Sequence, residues 1–189
     1  METKCFAPKT MEELFKALAE MTPESRVLGG GTDLIIRMNT GMLNPDALLY
    51  MGGMQELCCI SQNNGKAEIG AASTMNQIAE TPWIKKKLTA LFHACSDIGS
   101  PQIRNNATIG GNAGSASPAG DIIPVLFLYN AVITIASKDG LYTKPIGQVI
   151  LGPSKSCLAY NEAIVKISID IPESPHFRSA FVKLGYRKA

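Results

Sequence analysis

The stretch that most restricts how this chain can fold runs from Thr108 to Asp121 and reads T-I-G-G-N-A-G-S-A-S-P-A-G-D. Four glycines and a run of small or hydroxyl-bearing side chains fill fourteen positions, and the apolar run I-I-P-V-L-F-L follows. Glycine has no Cβ, so such a segment lets another backbone, or a flat and extended ligand, lie directly against the chain. Two readings stay open. The Gly-Gly pair can serve packing alone, allowing two backbones to touch. Alternatively the segment is a binding loop. Asn105, Asn106 and Thr108 lead into Gly110, Gly111 and Asn112, and Ser115, Ser117, Pro118 and Asp121 follow within one short reach. Their amides and hydroxyls offer neutral hydrogen bonds, and Asp121 can accept from a sugar hydroxyl.

A second glycine-rich loop, L-G-G-G-T-D-L from Leu28 to Leu34, follows a short strand and precedes a helical turn. Such a place suits phosphate, because successive N–H groups form a concave donor nest and a helix start adds a favourable dipole. It is neither a G-x-G-x-x-G fingerprint nor a lysine-bearing phosphate loop, and a strand-ending turn with positive φ at one or two glycines explains it equally. Two such loops in one small chain point toward a dinucleotide site.

The rest of the composition removes other classes. The 189 residues fit one ordinary domain or two small lobes. With 46% hydrophobic and 18% charged residues the chain is neither disordered nor a charged tail, and a formal charge of +2 gives no electrostatic case for nucleic acid. Lys85-Lys86-Lys87 reads as a solvated helix face. Five cysteines, at 5, 58, 59, 95 and 157, lack any C-x-x-C spacing, so no disulfide framework, zinc site or iron–sulfur site is indicated, and reduced thiols in a cytoplasm are expected. His93 and His176 are far apart, which leaves a metal centre or a Ser-His-Asp triad little to build on. The N-terminus shows no signal pattern, and the apolar stretch from Ile122 to Ala136 is broken by Pro124 and Asn130, so no membrane span is expected.

Along the chain, T-M-E-E at Thr10 to Glu13 is a capping box, and Leu14, Ala17, Leu18 and Met21 follow at helical spacing. Strands are expected at R-V-L (26–28) and A-L-L-Y-M (47–51), with a helical turn at L-I-I-R-M between them. E-L-C-C-I and K-A-E-I-G-A flank an N-N-G hairpin turn, and T-M-N-Q (74–77) is a second capping box. Thr81-Pro82 starts a helix whose apolar face runs from Ile84 through Leu88, Leu91, Phe92 and Cys95 to Ile98. A K-D-G turn joins two further strands, Pro145 opens a short helix, A-I-V-K-I-S-I-D-I (163–171) alternates as a half-buried strand, and F-R-S-A-F-V-K-L-G-Y reads as a final strand. The order β-α-β-β followed by a larger set of strands and helices indicates an α+β protein in two lobes, residues 1–53 and 54–189, with a boundary near Gly52-Gly53.

G-G-G-T-D-L (29–34), I-G-A-A-S-T (69–74), Q-I-R-N-N-A-T-I-G-G-N (102–112) and A-S-P-A-G-D (116–121) together resemble the FAD-binding subunit or domain of molybdenum hydroxylases, the family of xanthine dehydrogenase, nicotinate dehydrogenase and carbon monoxide dehydrogenase medium subunits. The match is ordered along almost the whole chain. The resemblance implies a two-lobed α+β fold of the vanillyl-alcohol-oxidase (PCMH) type with FAD held non-covalently between the lobes. By that likeness Gly29, Gly30, Gly31, Thr32, Asp33 and Leu34 cradle the pyrophosphate, with Ala72 and Thr74 close to it. Thr108, Gly111, Asn112 and Ser117 line the rest of the dinucleotide, Asp121 bonds a cofactor hydroxyl, and the backbone of Leu151 approaches the isoalloxazine ring. Lys183 lies near the pyrimidine end of the flavin, where a cation favours the negative charge of reduction. Leu28, Ile103, Asn105, Gly110 and Ser115 complete the candidate cofactor-binding set.

The implied role is electron transfer: FAD takes electrons from an iron–sulfur partner subunit and delivers them to NAD or another acceptor. The molybdopterin and 2Fe-2S centres belong to other chains, and no catalytic or metal-ligating residue is expected here. Two other roles remain open, a free-standing flavin oxidase of a small alcohol and a truncated FAD-binding assembly module. The family continues past K-x-x-x-R-K-A into another domain of roughly a hundred residues, absent beyond Ala189, so the sequence reads as a truncated chain, a naturally short subunit or a fragment of a longer frame. Tyr186 stands where a basic residue is more usual.

Overall fold

The computed structural model describes residues 3–184; Tyr186, and with it the end of the last expected strand, lies outside the described residues. β1 (Lys4–Phe6), α1 (Met11–Glu20), β2 (Arg26–Leu28), α2 (Leu34–Asn39) and β3 (Ala47–Tyr50) build a small sheet of order β1-β3-β2 in which both pairings are parallel. At the start of α1 the Thr10 hydroxyl accepts from the Glu13 amide at 3.2 Å. The Glu13 carboxylate passes the Thr10 amide and accepts from that of Lys9 at 2.7 Å, so the expected box closes one residue earlier. Leu14 and Leu18 are fully buried from this helix, and truncating either to alanine costs about 2–5 kcal/mol by loss of burial and cavity formation.

After Gly52-Gly53 the segment E-L-C-C coils into a 3-10 turn, Gln55–Cys58, instead of a strand. Two successive short turns, Met54 N–H to Met51 O and Leu57 N–H to Met54 O, carry Met54 and Leu57 into the core. The hairpin β4 (Ile60–Asn63) and β5 (Lys66–Gly70) then turns at Asn64 and Gly65, whose φ values of 48° and 75° are those a two-residue N-G hairpin demands. α3 (Met75–Glu80) has the complete capping box expected at Thr74 and Gln77.

The helix expected from Pro82 is broken into α4 (Pro82–Lys87) and α5 (Thr89–Asp97) at Leu88, which leaves the helical region with φ −125° and ψ 57° and is itself fully buried at the joint. Lys85, Lys86 and Lys87 face solvent. α6 (Pro101–Arg104), α7 (Ile109–Ser115) and α8 (Ile122–Leu128) precede the hairpin of β6 (Val132–Ser137) and β7 (Gly140–Pro145). The chain continues through α9 (Ile146–Val149) and the ribbon of β8 (Ile150–Gly152) and β9 (Lys155–Ser156) to β10 (Ala163–Asp170).

The larger sheet has the order β4-β5-β10-β6-β7, all antiparallel, with β10 central, and the expected alternation of buried and more open positions holds over its second half, from Lys166 to Asp170. Its first half is buried on both sides, and the register skips Val165 between Ile164 and Lys166. That bulge sends Ala163 and Val165 into the core shared with α1 and the small sheet, and Ile164, Ile167 and Ile169 into the core under α3, α5 and α8. One strand thereby locks both sheets together.

Phe177–Leu184 forms no strand, contrary to expectation. It crosses the helical layer, where there is no sheet edge to pair with, and docks through side chains. The Ser179 hydroxyl accepts from the Ala90 amide at 3.2 Å and shares a 2.7 Å hydrogen bond with the Tyr129 hydroxyl. Phe181 packs on the larger core.

Candidate functional site

The A-A-S-T turn after β5 is stitched to the approach of α7. Met75 N–H donates to Ala107 O at 2.9 Å, Ile109 N–H to Ser73 O at 3.1 Å, and Gly110 N–H to Ala71 O at 2.9 Å, while Thr74 and Thr108 form an antiparallel bridge. Thr108 then caps α7, its hydroxyl accepting from Gly111 N–H at 3.1 Å. The glycine-rich stretch expected as a loop is therefore a short helix at its N-terminal half. A seven-residue helix with three glycines is intrinsically poor, each costing about 1 kcal/mol against alanine. Its form comes from the stitching, and the absence of side chains lets it sit close: a Cβ on Gly110 would lie 2.6 Å from that of Ala71.

The first glycine loop packs against the same segment. A Cβ on Gly29 would stand 2.6 Å from the Thr108 hydroxyl, one on Gly30 would strike the Asn106 carbonyl, and Gly31 adopts φ +73°. These glycines permit the close backbone approach of the packing reading, and they also border an opening.

That opening is a cleft of about 690 Å³, within the range of ligand sites. One wall is Ser25 to Leu34 with Arg37 and Leu43, and the other runs from Ile103 to Gly120 and from Ser154 to Ile164. Of the candidate residues, Leu28, Gly29, Gly30, Gly31, Thr32, Asp33, Leu34, Ile103, Thr108, Gly110, Gly111, Asn112, Ser115 and Ser117 line it. Ala72 and Thr74 sit behind it, Ala72 buried and Thr74 capping α3. Asn105 is exposed at the end of α6, and Leu151, 64% exposed on β8, is outside the lining. Asp121 and Lys183 are also outside it and instead meet each other, Lys183 Nζ donating to Asp121 Oδ2 at 2.6 Å.

The far wall comes from positions that the sequence reading did not single out. Ser154 N–H donates to Ala116 O at 2.8 Å, which folds the β8–β9 turn onto the end of α7 and places Ser154 and Ser156 in the lining, with Tyr160 and Glu162 beyond. The Glu162 carboxylate accepts from the Tyr142 hydroxyl at 2.8 Å and from Ala159 N–H at 2.9 Å. Burial, and then that carboxylate, pushes the Tyr142 phenol above its ordinary range. The G-P-S-K turn was the one available signal, with left-handed φ at Ser154.

Only Arg26, Asp33, Arg37 and Glu162 carry charge among the described lining residues; the remainder are amides, hydroxyls, glycines and apolar groups. Asn112 Oδ1 is buried beside the cleft and has no hydrogen-bond partner among the described residues. A buried acceptor left unpaired costs about 1–3 kcal/mol, so it stands ready for a donor. Such a surface suits a long molecule with phosphates and hydroxyls. Among the described residues no group of His, Cys, Asp and Glu could hold a metal, and no helix is long and apolar enough to cross a membrane.

Known proteins resemble this chain in sequence and fold. The family described as FAD binding domain in molybdopterin dehydrogenase matches residues 1–173. The chain is 35% identical over 190 residues to the nicotinate dehydrogenase FAD-subunit of Eubacterium barkeri, covering 97% of this chain and 63% of that protein. It is 31% identical over 181 residues to the xanthine dehydrogenase FAD-binding subunit of Escherichia coli O157:H7, covering 95% and 62%. The structure of carbon monoxide dehydrogenase from Hydrogenophaga pseudoflava superimposes with a TM-score of 0.91 at 26% identity, over 100% of this chain and 65% of that one. The chain spans less than two thirds of the length of each of these relatives. The fold, the cleft between two glycine-rich segments and these likenesses agree, and the chain belongs to the FAD-binding domain family of the molybdopterin dehydrogenases.

Proposed function

We propose that the cleft holds FAD and that the chain is the electron-transfer component of a molybdenum-containing hydroxylase. The observation that carries this reading is the pairing of two glycine-rich segments across one cleft, with the unpartnered Asn112 Oδ1 beside it. The residues fit the cofactor: Gly29 to Thr32 border the cleft with backbone that a diphosphate can approach, and Thr108, Ser115 and Ser117 with Asn112 offer neutral partners for its hydroxyls. When bound, FAD supplies a centre that takes up electrons singly or in pairs and gives a pair up as hydride.

This chain's part is to bind, orient and polarise. The Asp121 carboxylate tethers the Lys183 ammonium through Oδ2, and among the described residues Oδ1 carries no hydrogen bond, which leaves it for a sugar hydroxyl. With FAD bound, the Lys183 ammonium would favour the negative charge that develops on reduction. Electrons arrive from an iron–sulfur partner subunit and leave to NAD or another acceptor, while the organic substrate is oxidised on a separate molybdenum subunit. The relatives named as FAD subunits support that division.

The test is the visible absorption spectrum of the purified chain with and without added FAD, with identification of any nucleotide released on denaturation. Bound FAD, bleached by NADH or by a reduced iron–sulfur partner, is the expected result. A colourless chain that takes up no flavin overturns the reading.

A further inference from the structure

A dinucleotide brings two phosphate charges, yet the donors of the glycine loop are neutral amides, and α2, six residues long, is too short to lend a substantial dipole. Such amides can hydrogen-bond phosphate oxygens, but they carry no net charge to offset those of the diphosphate, whereas a side-chain cation at the cleft would supply one. Among the described residues that line the cleft the cations are Arg26 and Arg37. Arg26 is committed to its own strand, Nη1 donating to the carbonyls of Pro23 and Ser25 at 2.7 Å each. Arg37 differs. Its guanidinium makes no hydrogen bond among the described residues, and its nearest acid, Asp33 Oδ2, is 3.8 Å from Nη1, beyond hydrogen-bond reach. Its backbone is well fixed, because Arg37 O accepts from both Met42 N–H and Leu43 N–H. Leu34 and Arg37, one turn apart, both line the cleft, whereas Ile35 and Ile36 on the same helix are exposed and outside its lining.

Resting on the FAD reading of the cleft, we propose that Arg37 is a phosphate-contacting residue that supplies the positive charge the glycine nest lacks. The planar guanidinium fork matches two phosphate oxygens, and binding draws it from its loose pairing with Asp33. The contact makes the cleft select phosphorylated ligands.

Titration calorimetry with FAD and with ADP, on wild type, Arg37→Gln and the outward-facing control Ile36→Gln, tests this. Arg37→Gln is expected to weaken FAD and ADP alike by about tenfold, the scale of one charge-assisted bond partly screened by solvent, and to flatten the fall of affinity with added salt. Ile36→Gln leaves both affinities unchanged. Wild-type affinity for FAD and ADP in Arg37→Gln, or a loss for FAD alone, overturns the phosphate contact while the cleft reading stands. Failure of wild type to bind either ligand overturns both.

Discussion

Lys183 Nζ lies 2.6 Å from Asp121 Oδ2, an ion pair that spans 62 positions and joins the segment after α7 to the tail that follows β10. The carboxylate side chain is 14% exposed and the lysine 46%, so the pair is worth about 1 kcal/mol and its chief effect is placement. Asp121→Ala removes both the charge and the acceptor oxygens. FAD retention should fall, and trypsin should cut after Arg178 and Lys183 faster than in wild type. Wild-type flavin content together with unchanged proteolysis would show that neither the tether nor the assigned hydroxyl contact exists. Ser179→Ala, which removes the partner of Ala90 N–H and Tyr129 OH, should speed the same cleavage with little direct effect on the cofactor.

A second prediction concerns pH. Lys166 Nζ donates to Glu68 Oε1 at 2.7 Å across β10 and β5, and Asn63 Nδ2 donates to Oε2 at 3.3 Å. These bonds, that of Lys166 first, hold the Glu68 carboxyl below its ordinary value of 4.5. A lowered folded value means stability that is present above about pH 4.5 and lost as pH falls through the folded value. With both partners partly exposed the contribution is less than about 1 kcal/mol. Glu68→Gln should lower urea stability slightly at neutral pH and make its acid decline shallower. Parallel curves for the two proteins below pH 4.5 would rule out this linkage.

Local signals account for what the sequence made legible. Thr10, Thr74 and the N-N-G turn act through neighbours three residues away or fewer, so α1, α3 and the β4–β5 hairpin fall where their motifs put them. The first glycine loop was equally plain, since it directly follows β2. α7 was not, because its glycines oppose helix on their own and only the bonds from Ala71, Ser73 and Ala107 override them. The tail was misread as a strand for a similar reason: its apolar spacing fits a sheet, but the surface it meets is helical. The wall from Ser154 to Ile164 reaches the cleft through the Ser154 to Ala116 bond and through the central place of β10, contacts between distant segments that nothing within a short window announces.

The five thiols should separate by burial. Cys95 is fully buried in α5 and burial pushes its thiol far up, Cys58 is pushed up less by the same cause, and Cys5 and Cys59 are exposed. Since the thiolate is the reactive form, a thiol-titrating disulfide reagent should modify Cys5 and Cys59 first and Cys95 only after denaturation. Reaction of Cys95 in the native protein at the rate of Cys59 would mean that α5 is not packed as described.

The sharpest test of the glycine-rich helix compares Gly110 with Gly111. A Cβ on Gly110 would meet Ala71 Cβ at 2.6 Å and Ala71 O at 2.8 Å, and a carbonyl already bonded to Gly110 N–H cannot retreat. A Cβ on Gly111 would meet only the Thr108 hydroxyl, at 2.9 Å, and Gly111 is exposed at the cleft. Gly110→Ala should therefore act on folding, losing about 1–3 kcal/mol to overpacking against about 1 kcal/mol of regained helix propensity, with a lower Tm whether or not FAD is present. Gly111→Val should act chiefly on the ligand, its branched side chain filling the approach that the dinucleotide needs, so FAD uptake is lost while the apoprotein, its Thr108 cap pressed, melts below wild type but above Gly110→Ala. If Gly110→Ala melts as wild type, the stitching to Ala71 is looser than its distances imply. If Gly111→Val takes up FAD normally, the cofactor does not lie against this face of α7.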